Sequence, residues 1–337
     1  MSVAWALGDQ ATRDIIFRCH QQALTTVLAY AEREVFRTRS GHRGCVEEEI
    51  VGVVAASFTH FDSRDGDPQL HDHVVVLNRV QATSDGLWRT LDSRGLFASA
   101  VMLSEMHQGV LSDLLTAQLG WDWEPHARRS SPVAKWEVAG VSTSLMEEFS
   151  RRTVDILALK DRLVEQFETD HGRAPTNIEV LRLRQTATLA TRRAKQGRNL
   201  DELTSDWTVR ALPYLDDEPT SWVHEIGHKN VVVFSSHDLG DDILRDAANA
   251  ALDVVSVKRP TFSRANVQAE VFRQLQSVRF VEPAERLDVA TRATDMALAQ
   301  ALRINAPSLH HTPRFLLRRD GTSKPNSVFV PYVMSQA

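Results

Sequence analysis

The sequence predicts an α/β protein of the α+β kind: an antiparallel sheet flanked by long helices, followed by a mostly helical C-terminal part. Two apolar, β-branched runs at 50–58 and 71–77 indicate strands, the first of them buried, and the polar segment 62–68 between them has the composition of a turn. Apolar residues that recur every three or four positions over 9–36 indicate a long amphipathic helix. These observations together predict a long-looped antiparallel hairpin next to helices.

The rest of the chain is predicted to become progressively more helical. A short strand is expected at 87–91, a helix at 96–119, and strand-like pieces at 121–125 and 136–138. Beyond residue 144, apolar spacing predicts packed helices over 145–168, 177–195, 200–211, 241–257, 264–278 and 283–302. The turn-rich segment 213–222 is expected to separate two domains, 1–215 and 216–337.

Composition and charge are those of an ordinary globular chain, with 42% hydrophobic and 25% charged residues. The net charge of −5 means that any contact with nucleic acid must come from a local arrangement of side chains. Two cysteines, Cys19 and Cys45, are too few for a disulfide framework or a cysteine zinc site, and Cys19 is expected in the core. No apolar run is long enough to insert into a membrane and no cationic signal segment follows Met1, so we expect a cytoplasmic protein.

Three histidines surround the predicted hairpin turn. His60 ends the first strand, and His71 and His73 lie on the second. Because side chains alternate along a strand, His71 and His73 share one face and Asp72 points to the other. If the strands pair, His60 joins them, and three imidazoles leave coordination positions open for water or substrate, as catalytic metal sites require. Imidazole favours transition metals such as Mn, Co, Ni or Zn, although phosphate oxygens from a substrate would also make Mg workable.

The histidines belong to a longer pattern, F-x-H-x-x-S-R-x-x-D-P-Q-L-H-x-H-x-V-V-x-N over residues 58–78. This string resembles the metal-binding signature of the MobF-type (TrwC-like) conjugative relaxases, which belong to the HUH endonuclease superfamily. The resemblance covers most of the chain and extends to segments 5–7, 41–44, 187–193 and 261–267. Asp62 and Asp72 depart from the family pattern, which usually has threonine at the first position and a neutral residue at the second, but neither departure removes a ligand.

The resemblance implies a sheet of the HUH relaxase type and a metal-dependent single-stranded DNA transesterase of conjugative transfer, a bacterial process. In the family a tyrosine attacks one phosphodiester of the transfer origin and becomes covalently linked to the 5′ phosphate. His60, His71 and His73 would hold a divalent metal against that phosphate, with Mg or Mn expected first and Zn, Co or Ni as alternatives. The expected partners are transfer-origin DNA and conjugation accessory proteins. Three arginines would contact DNA: Arg64, Arg192 and Arg193.

The nucleophile region of the family has no counterpart in this sequence. The tyrosines here are Tyr30, Tyr214 and Tyr332, and none lies in a context that resembles that region; Tyr30 lies on the amphipathic helix, where packing is the usual role. The chain also lacks the G-x-x-x-x-G-K-S/T phosphate-binding loop of a helicase ATPase. The sequence therefore predicts a catalytically incomplete relaxase, with a domain at 1–215 that lacks its nucleophile segment and a helical linker, or start of a helicase region, at 216–337.

Two other readings compete with this one. His224-Glu225-x-x-His228 matches the zinc-protease pattern, but Gly227 and the strand-like run 231–234 would end the helix that such a site needs. The other reading is a non-catalytic DNA-binding remnant, in which a basic face would contact phosphates, although a solvated helix face explains these residues as well. The residues of that face are Arg182, Arg184, Arg192, Arg193, Lys195 and Arg198.

Three further side chains keep two interpretations each. Trp121 and Trp123 could stack on bases, although burial is the commoner fate of tryptophan in a turn and strand context. Arg64 could form an ion pair with Asp65 or Asp67 in its own loop and not reach DNA.

Overall fold

The computed structural model describes residues 1–128, 131–194, 197–227, 231–304, 313–317 and 331–334. The chain divides into two compact units. The first unit comprises the described parts of Met1–Ile16, Ser57–His73 and Glu137–His228, and the second those of Phe17–Ala56, Val74–Trp136 and Lys229–Ala337. These units do not follow the predicted domain boundary near residue 215, which stays a prediction about domain organisation.

The helices follow the apolar periodicity of the sequence. They are α1 (Ser2–Leu7), α2 (Gln10–Glu34), α3 (Arg94–Leu119), α4 (Thr143–Glu148), α5 (Arg151–His171), α6 (Asn177–Ala190), α7 (Leu200–Ala211), α8 (Pro219–Glu225), α9 (Asp241–Lys258), α10 (Arg264–Gln274) and α11 (Pro283–Ala299). Side-chain caps fix several starts: Thr176 accepts the Glu179 N–H in a capping box at α6, and Asn199 accepts the Glu202 N–H at α7. Among the described residues, we find no helix with the length and apolar character that a membrane span requires.

The predicted sheet is present as several small sheets. The strands are β1 (Arg37–Ser40), β2 (Val46–Glu48), β3 (Ala55–Asp62), β4 (Pro68–Val76), β5 (Val80–Gln81), β6 (Trp88–Arg89), β7 (Leu91–Asp92), β8 (Trp123–Arg128), β9 (Ser131–Val138), β10 (Val233–Phe234), β11 (Arg279–Phe280), β12 (Ala301–Arg303) and β13 (Tyr332–Met334). Strands β2, β1 and β7 form a three-stranded antiparallel sheet, and the others pair in twos, of which β10 and β11 are parallel. The predicted fold class, antiparallel strands with flanking helices and a helical C-terminal part, is confirmed.

Several predicted elements differ in position: the helix expected over 283–302 ends at Ala299 and is followed by β12, and two further differences bear on the histidine hairpin. The buried strand expected over 50–58 is wrong: β3 begins and ends later, and Phe58 is 55% exposed. The Val53 N–H donates to the Glu32 carboxylate at 2.9 Å, so this part of the backbone is held outside the β3 ladder. The single helix expected over 145–168 is divided between α4 and α5, because a carboxylate far away in the sequence caps the first residue of α5, as described below.

Each unit has its own apolar core. In the first unit, Trp5, Leu145, Leu203 and Trp207 are buried. In the second unit, helices α3, α9, α10 and α11 contact one another around side chains such as Met106, Leu115, Phe272 and Phe280. Cys19 is buried, as predicted, and burial raises the pKa of its thiol to about 11.

A buried ion pair lies inside the helical core of the second unit. The guanidinium of Arg286 contacts the Asp113 carboxylate through Nε at 2.5 Å and Nη2 at 2.7 Å, and both side chains are at most 1% exposed. The carbonyls of Leu275 and Val278 accept further N–H groups of Arg286. This pair satisfies two charges that would otherwise be costly to bury.

Candidate metal centre

Strands β3 and β4 form the predicted hairpin, closed by the loop 63–67. The Ser63 N–H donates to the Asp67 carbonyl at 2.8 Å, and the Gly66 N–H donates to the Ser63 carbonyl at 3.0 Å. Gly66 has φ of 75°, a left-handed conformation that favours glycine at this position of a hairpin turn. The short loop fixes the two strands as neighbours that run in opposite directions.

The hairpin brings together the three histidines singled out in the sequence. Their ring centroids are 5.4 Å apart for His60 and His71, 4.9 Å for His60 and His73, and 5.1 Å for His71 and His73. One nitrogen from each ring lies within 4.8 Å of the others. His60 and His71 are half-buried and His73 is exposed, so the cluster is open to solvent on one side. Within the described ranges, no other group of three or more histidine, cysteine or acidic side chains converges in this way.

The tautomer of His71 suits a ligand role. Its Nδ1 lies 2.7 Å from the backbone carbonyl oxygen of Gln69. Because a carbonyl oxygen only accepts hydrogen bonds, Nδ1 carries the proton and Nε2 presents its lone pair. A backbone carbonyl that orients the imidazole through its other nitrogen is a common partner of metal-ligating histidines.

The opposite face of the hairpin packs on the protein at its loop end and is held by hydrogen bonds between its own strands farther away. Asp72 points away from the histidines, as predicted, and accepts the hydroxyls of Ser57 at 2.8 Å and Thr59 at 2.7 Å. On the same face Phe61 stacks on Trp5, with ring centroids 6.2 Å apart. Leu70, also on this face, is only 5% exposed. Period-two alternation thus places Phe61, Leu70 and Asp72 on one face and the histidines on the other; the first face is packed near the loop, while Ser57 and Thr59 on it are exposed.

The loop between the strands is fixed by a buried carboxylate. The carboxylate of Asp67, which is 2% exposed, accepts hydrogen bonds from the Arg151 backbone N–H at 3.1 Å and from the Arg151 Nε at 3.0 Å. The bond from the backbone N–H caps the start of α5. The Arg210 Nη2 on α7 donates to the same carboxylate at 2.8 Å. The Trp207 indole donates to the Gly66 carbonyl at 2.7 Å. We call Asp67, Arg151, Arg210, Trp207 and Gly66 the loop network; it anchors the turn that joins the histidine-bearing strands.

The structure brings together two of the three arginines predicted to contact DNA. The Arg64 Nη1 lies 3.4 Å from the Arg193 carbonyl oxygen, and Arg192 and Arg193 are exposed just after α6. The carboxylates proposed as alternative partners of Arg64 are engaged elsewhere, Asp65 with Arg152 at 3.8 Å and Asp67 in the loop network. Contact of these arginines with DNA stays a prediction.

The basic face proposed for a non-catalytic DNA-binding remnant is only partly covered by the described residues. Lys195 lies outside the described residues. The Arg198 guanidinium is engaged with Asp206 at 3.6 Å. Trp121 and Trp123 are 1% and 5% exposed, so the burial that the sequence favoured is what the structure has.

The zinc-protease pattern does not form the required helix. Helix α8 ends at Glu225, and Gly227 has φ of 71°. The His224 Nε2 lies 3.2 Å from Asp9 Oδ2, while His228 lies outside the described residues. A protease of this type needs both histidines one turn apart on a single helix, and here the helix ends between their positions.

The hydroxyls of Tyr30 and Tyr214 are hydrogen-bonded within the protein. Tyr30 is 8% exposed and donates its hydroxyl to Gln268 at 3.0 Å; burial raises the pKa of its phenol. The Tyr214 hydroxyl donates to Glu148 at 3.2 Å, and the negative charge of Glu148 raises the pKa of that phenol. Tyr332 lies on β13, paired with Arg303. A raised phenol pKa disfavours the phenolate form that a nucleophile needs.

Phe58 is a residue whose position the sequence analysis missed. It was assigned to a buried strand, whereas its ring is 55% exposed. Phe58 precedes His60 by two positions on β3, and residues two apart share a face of a strand. That spacing was the signal available in the sequence.

Comparisons with known proteins agree on one family. The profile of the TrwC relaxase family matches residues 1–213. The multifunctional conjugation protein TraI of Escherichia coli is 30% identical over 190 residues, which are 51% of this chain and 10% of that protein. TraI of E. coli strain K12 is 28% identical over the same share of each chain. The matched part of this chain therefore corresponds to about a tenth of these curated relatives.

Solved structures of TrwC resemble the chain in fold. The complex of TrwC with a 27-mer DNA that comprises the recognition hairpin and the cleavage site has a TM-score of 0.50 and 25% identity, covering 63% of this chain and 71% of that chain. The metal-bound structure of TrwC with OriT DNA has a TM-score of 0.51 and 24% identity, covering 63% and 68%. Because the family profile spans more than half of the 337 residues, the chain belongs to the TrwC relaxase family.

Proposed function

We propose that this chain acts on single-stranded transfer-origin DNA as the metal- and DNA-binding part of a conjugative relaxase, with His60, His71 and His73 as the metal ligands. The observation that carries the proposal is the convergence of three imidazole rings, about 5 Å apart, on the open face of the hairpin. The TrwC structures that resemble this chain contain OriT DNA or a 27-mer DNA that comprises the recognition hairpin and the cleavage site. Accessory proteins of conjugation remain proposed partners.

The donor set fits a divalent cation that also binds phosphate. Three neutral imidazoles suit Mn, Co, Ni or Zn, and phosphate oxygens in the open positions make Mg suitable as well. When bound, the cation would stabilise negative charge on the non-bridging oxygens of a phosphodiester. The protein's part is to hold the rings: the Gln69 carbonyl orients His71, and the loop network fixes the turn between the two strands.

The arginines are proposed to position the DNA backbone. Arg64 lies in the loop that follows His60, and its guanidinium next to the Arg193 carbonyl leaves further N–H groups for a phosphate. Arg192 and Arg193 are exposed in the same neighbourhood. Such contacts would bind DNA with little dependence on its sequence.

We further propose that none of the three tyrosines of this chain is the nucleophile. The hydroxyls of Tyr30 and Tyr214 are engaged, and the phenol pKa of each is raised. The chain would then bind the metal and DNA without forming a covalent adduct through its own tyrosines. We also propose residues 1–215 as the relaxase domain and 216–337 as a helical linker, or the start of a helicase region.

The test is metal-dependent DNA binding. Fluorescence anisotropy with a labelled single-stranded transfer-origin oligonucleotide should show tighter binding in Mn²⁺ than in EDTA for the wild-type protein. The His60→Ala variant should lose this difference, and His237→Ala, which alters an exposed histidine outside the triad, should keep it. Equal affinity with Mn²⁺ and EDTA would contradict the metal role, and a covalent protein-DNA band on a denaturing gel would contradict the proposal about the tyrosines.

A further inference from the structure

Two phenylalanines on β3 have opposite surroundings. Phe61 stacks on Trp5 with an interplanar angle of 26°, whereas Phe58 is 55% exposed. They are three positions apart, so they lie on opposite faces of the strand. Phe58 is therefore on the face that carries His60, His71 and His73.

The neighbours of Phe58 show which face of β3 its side chain occupies. Ser57 and Thr59, the residues on either side, both donate their hydroxyls to Asp72 on the opposite face. With these two side chains held, the Phe58 ring projects from the histidine face. Along a strand, residues two apart are separated by about 6.6 Å, so the ring lies next to the candidate metal centre.

A single exposed phenylalanine is ordinary on a protein surface. What distinguishes Phe58 is that it shares a face with an open three-ligand centre, whose remaining ligands are proposed to be phosphate oxygens of DNA. In an unpaired strand, the base next to a bound phosphate has a face that is free to stack on the protein. An aromatic ring provides a stacking surface for any base. The ligand that this geometry fits is therefore an unpaired nucleobase.

We propose that Phe58 is a stacking platform for the base adjacent to the phosphate held at the histidine triad. This inference rests on the proposed function and deepens it, because it assigns the contact with the unpaired base beside the bound phosphate to one residue of this chain. In a duplex, both faces of each base are stacked on neighbouring base pairs, so neither face is available to the Phe58 ring.

The test combines Phe58→Leu with two reference variants. Phe58→Trp retains a stacking ring, and Phe97→Leu changes another exposed phenylalanine, 77% exposed on α3. A set of oligonucleotides with 2-aminopurine at successive positions should show one position quenched by the wild-type protein. That quenching should be lost in Phe58→Leu and kept in Phe58→Trp and Phe97→Leu.

Affinity gives an independent readout. Phe58→Leu should weaken binding of the intact oligonucleotide roughly tenfold, and should cause no loss with an oligonucleotide that is abasic at the quenched position. An equal loss on intact and abasic DNA, no quenched position at all, or unchanged binding by Phe58→Leu would each overturn the inference.

Mn²⁺ uptake, measured on the same variants by calorimetry, separates the two proposals. Suppose that Phe58→Leu binds Mn²⁺ as the wild-type protein does, but the quenching and affinity measurements show no stacking on Phe58. Then only the inference about Phe58 is wrong. If the wild-type protein takes up no Mn²⁺, the proposed function fails, and with it the bound phosphate that the inference requires.

Discussion

The two faces of the β3 and β4 hairpin have opposite characters, although they alternate within one short sequence motif. One face is closed at its loop end, where Phe61 stacks on Trp5 and Leu70 is buried, and Asp72 on it accepts two hydroxyls from the neighbouring strand. The other face is open and carries Phe58 and the three histidines. The motif therefore has two separable roles: residues of the closed face hold the hairpin in place, and residues of the open face are available to a ligand.

The largest loss of stability is expected from a substitution in the loop that joins β3 and β4. Asp67→Ala leaves the guanidinium groups of Arg151 and Arg210 without their shared carboxylate and removes the cap of α5. We expect the free energy of unfolding to fall by about 4 kcal/mol. Urea denaturation followed by circular dichroism measures this change.

The matched control for that variant is Asp161→Ala, because Asp161 is 54% exposed on α5 and its pair with Lys160 is at the surface. It should change stability by less than about 0.5 kcal/mol. Equal stability of the two variants would show that the loop network does not hold the hairpin.

The next largest loss of stability is expected from a substitution on the closed face. Leu70 is 5% exposed and its side chain shares a face with Phe61 and Asp72. Leu70→Ala removes buried apolar volume and should lower the free energy of unfolding by about 3 kcal/mol. The folded variant should bind Mn²⁺ as the wild-type protein does, because the open face is unchanged.

Leu181→Ala is the reference for that measurement, since Leu181 is 65% exposed on α6 in the same unit. If Leu70→Ala were as stable as this reference, the face would not be packed in the way described. If it lost Mn²⁺ binding while folded, the two faces would not be separable.

The smallest effect is expected at Asp72, between the paired histidines. Asp72→Asn keeps an acceptor for the hydroxyls of Ser57 and Thr59 but makes it neutral, so the free energy of unfolding should fall by about 1 kcal/mol or less. Because the side chain points away from the triad, the Mn²⁺ dissociation constant should change by less than about threefold. A much larger change, measured by calorimetry, would show that the charge of Asp72 acts on the centre directly.

The sequence predicts this hairpin well because its signals are local. The period of two along a strand places His71 and His73 on one face and Asp72 on the other, and the structure has that arrangement. The helices were also recognisable, with α7 at its predicted bounds. These features depend on spacing alone, which a single chain displays.

Features that depend on distant contacts were not predictable. The division between α4 and α5 comes from Asp67, 84 residues before the backbone N–H of Arg151 that it accepts. The buried pair of Asp113 and Arg286 joins residues 173 positions apart, and no local pattern signals it.

We propose that the open face holds a divalent cation through three imidazoles, and calorimetric titration with Mn²⁺ tests this proposal most directly. The wild-type protein and His237→Ala should each bind one Mn²⁺ per chain, and His71→Ala should lose that binding while its circular dichroism spectrum stays unchanged. Binding of one Mn²⁺ by His71→Ala with wild-type affinity, or no binding of Mn²⁺ by the wild-type protein, would contradict this proposal.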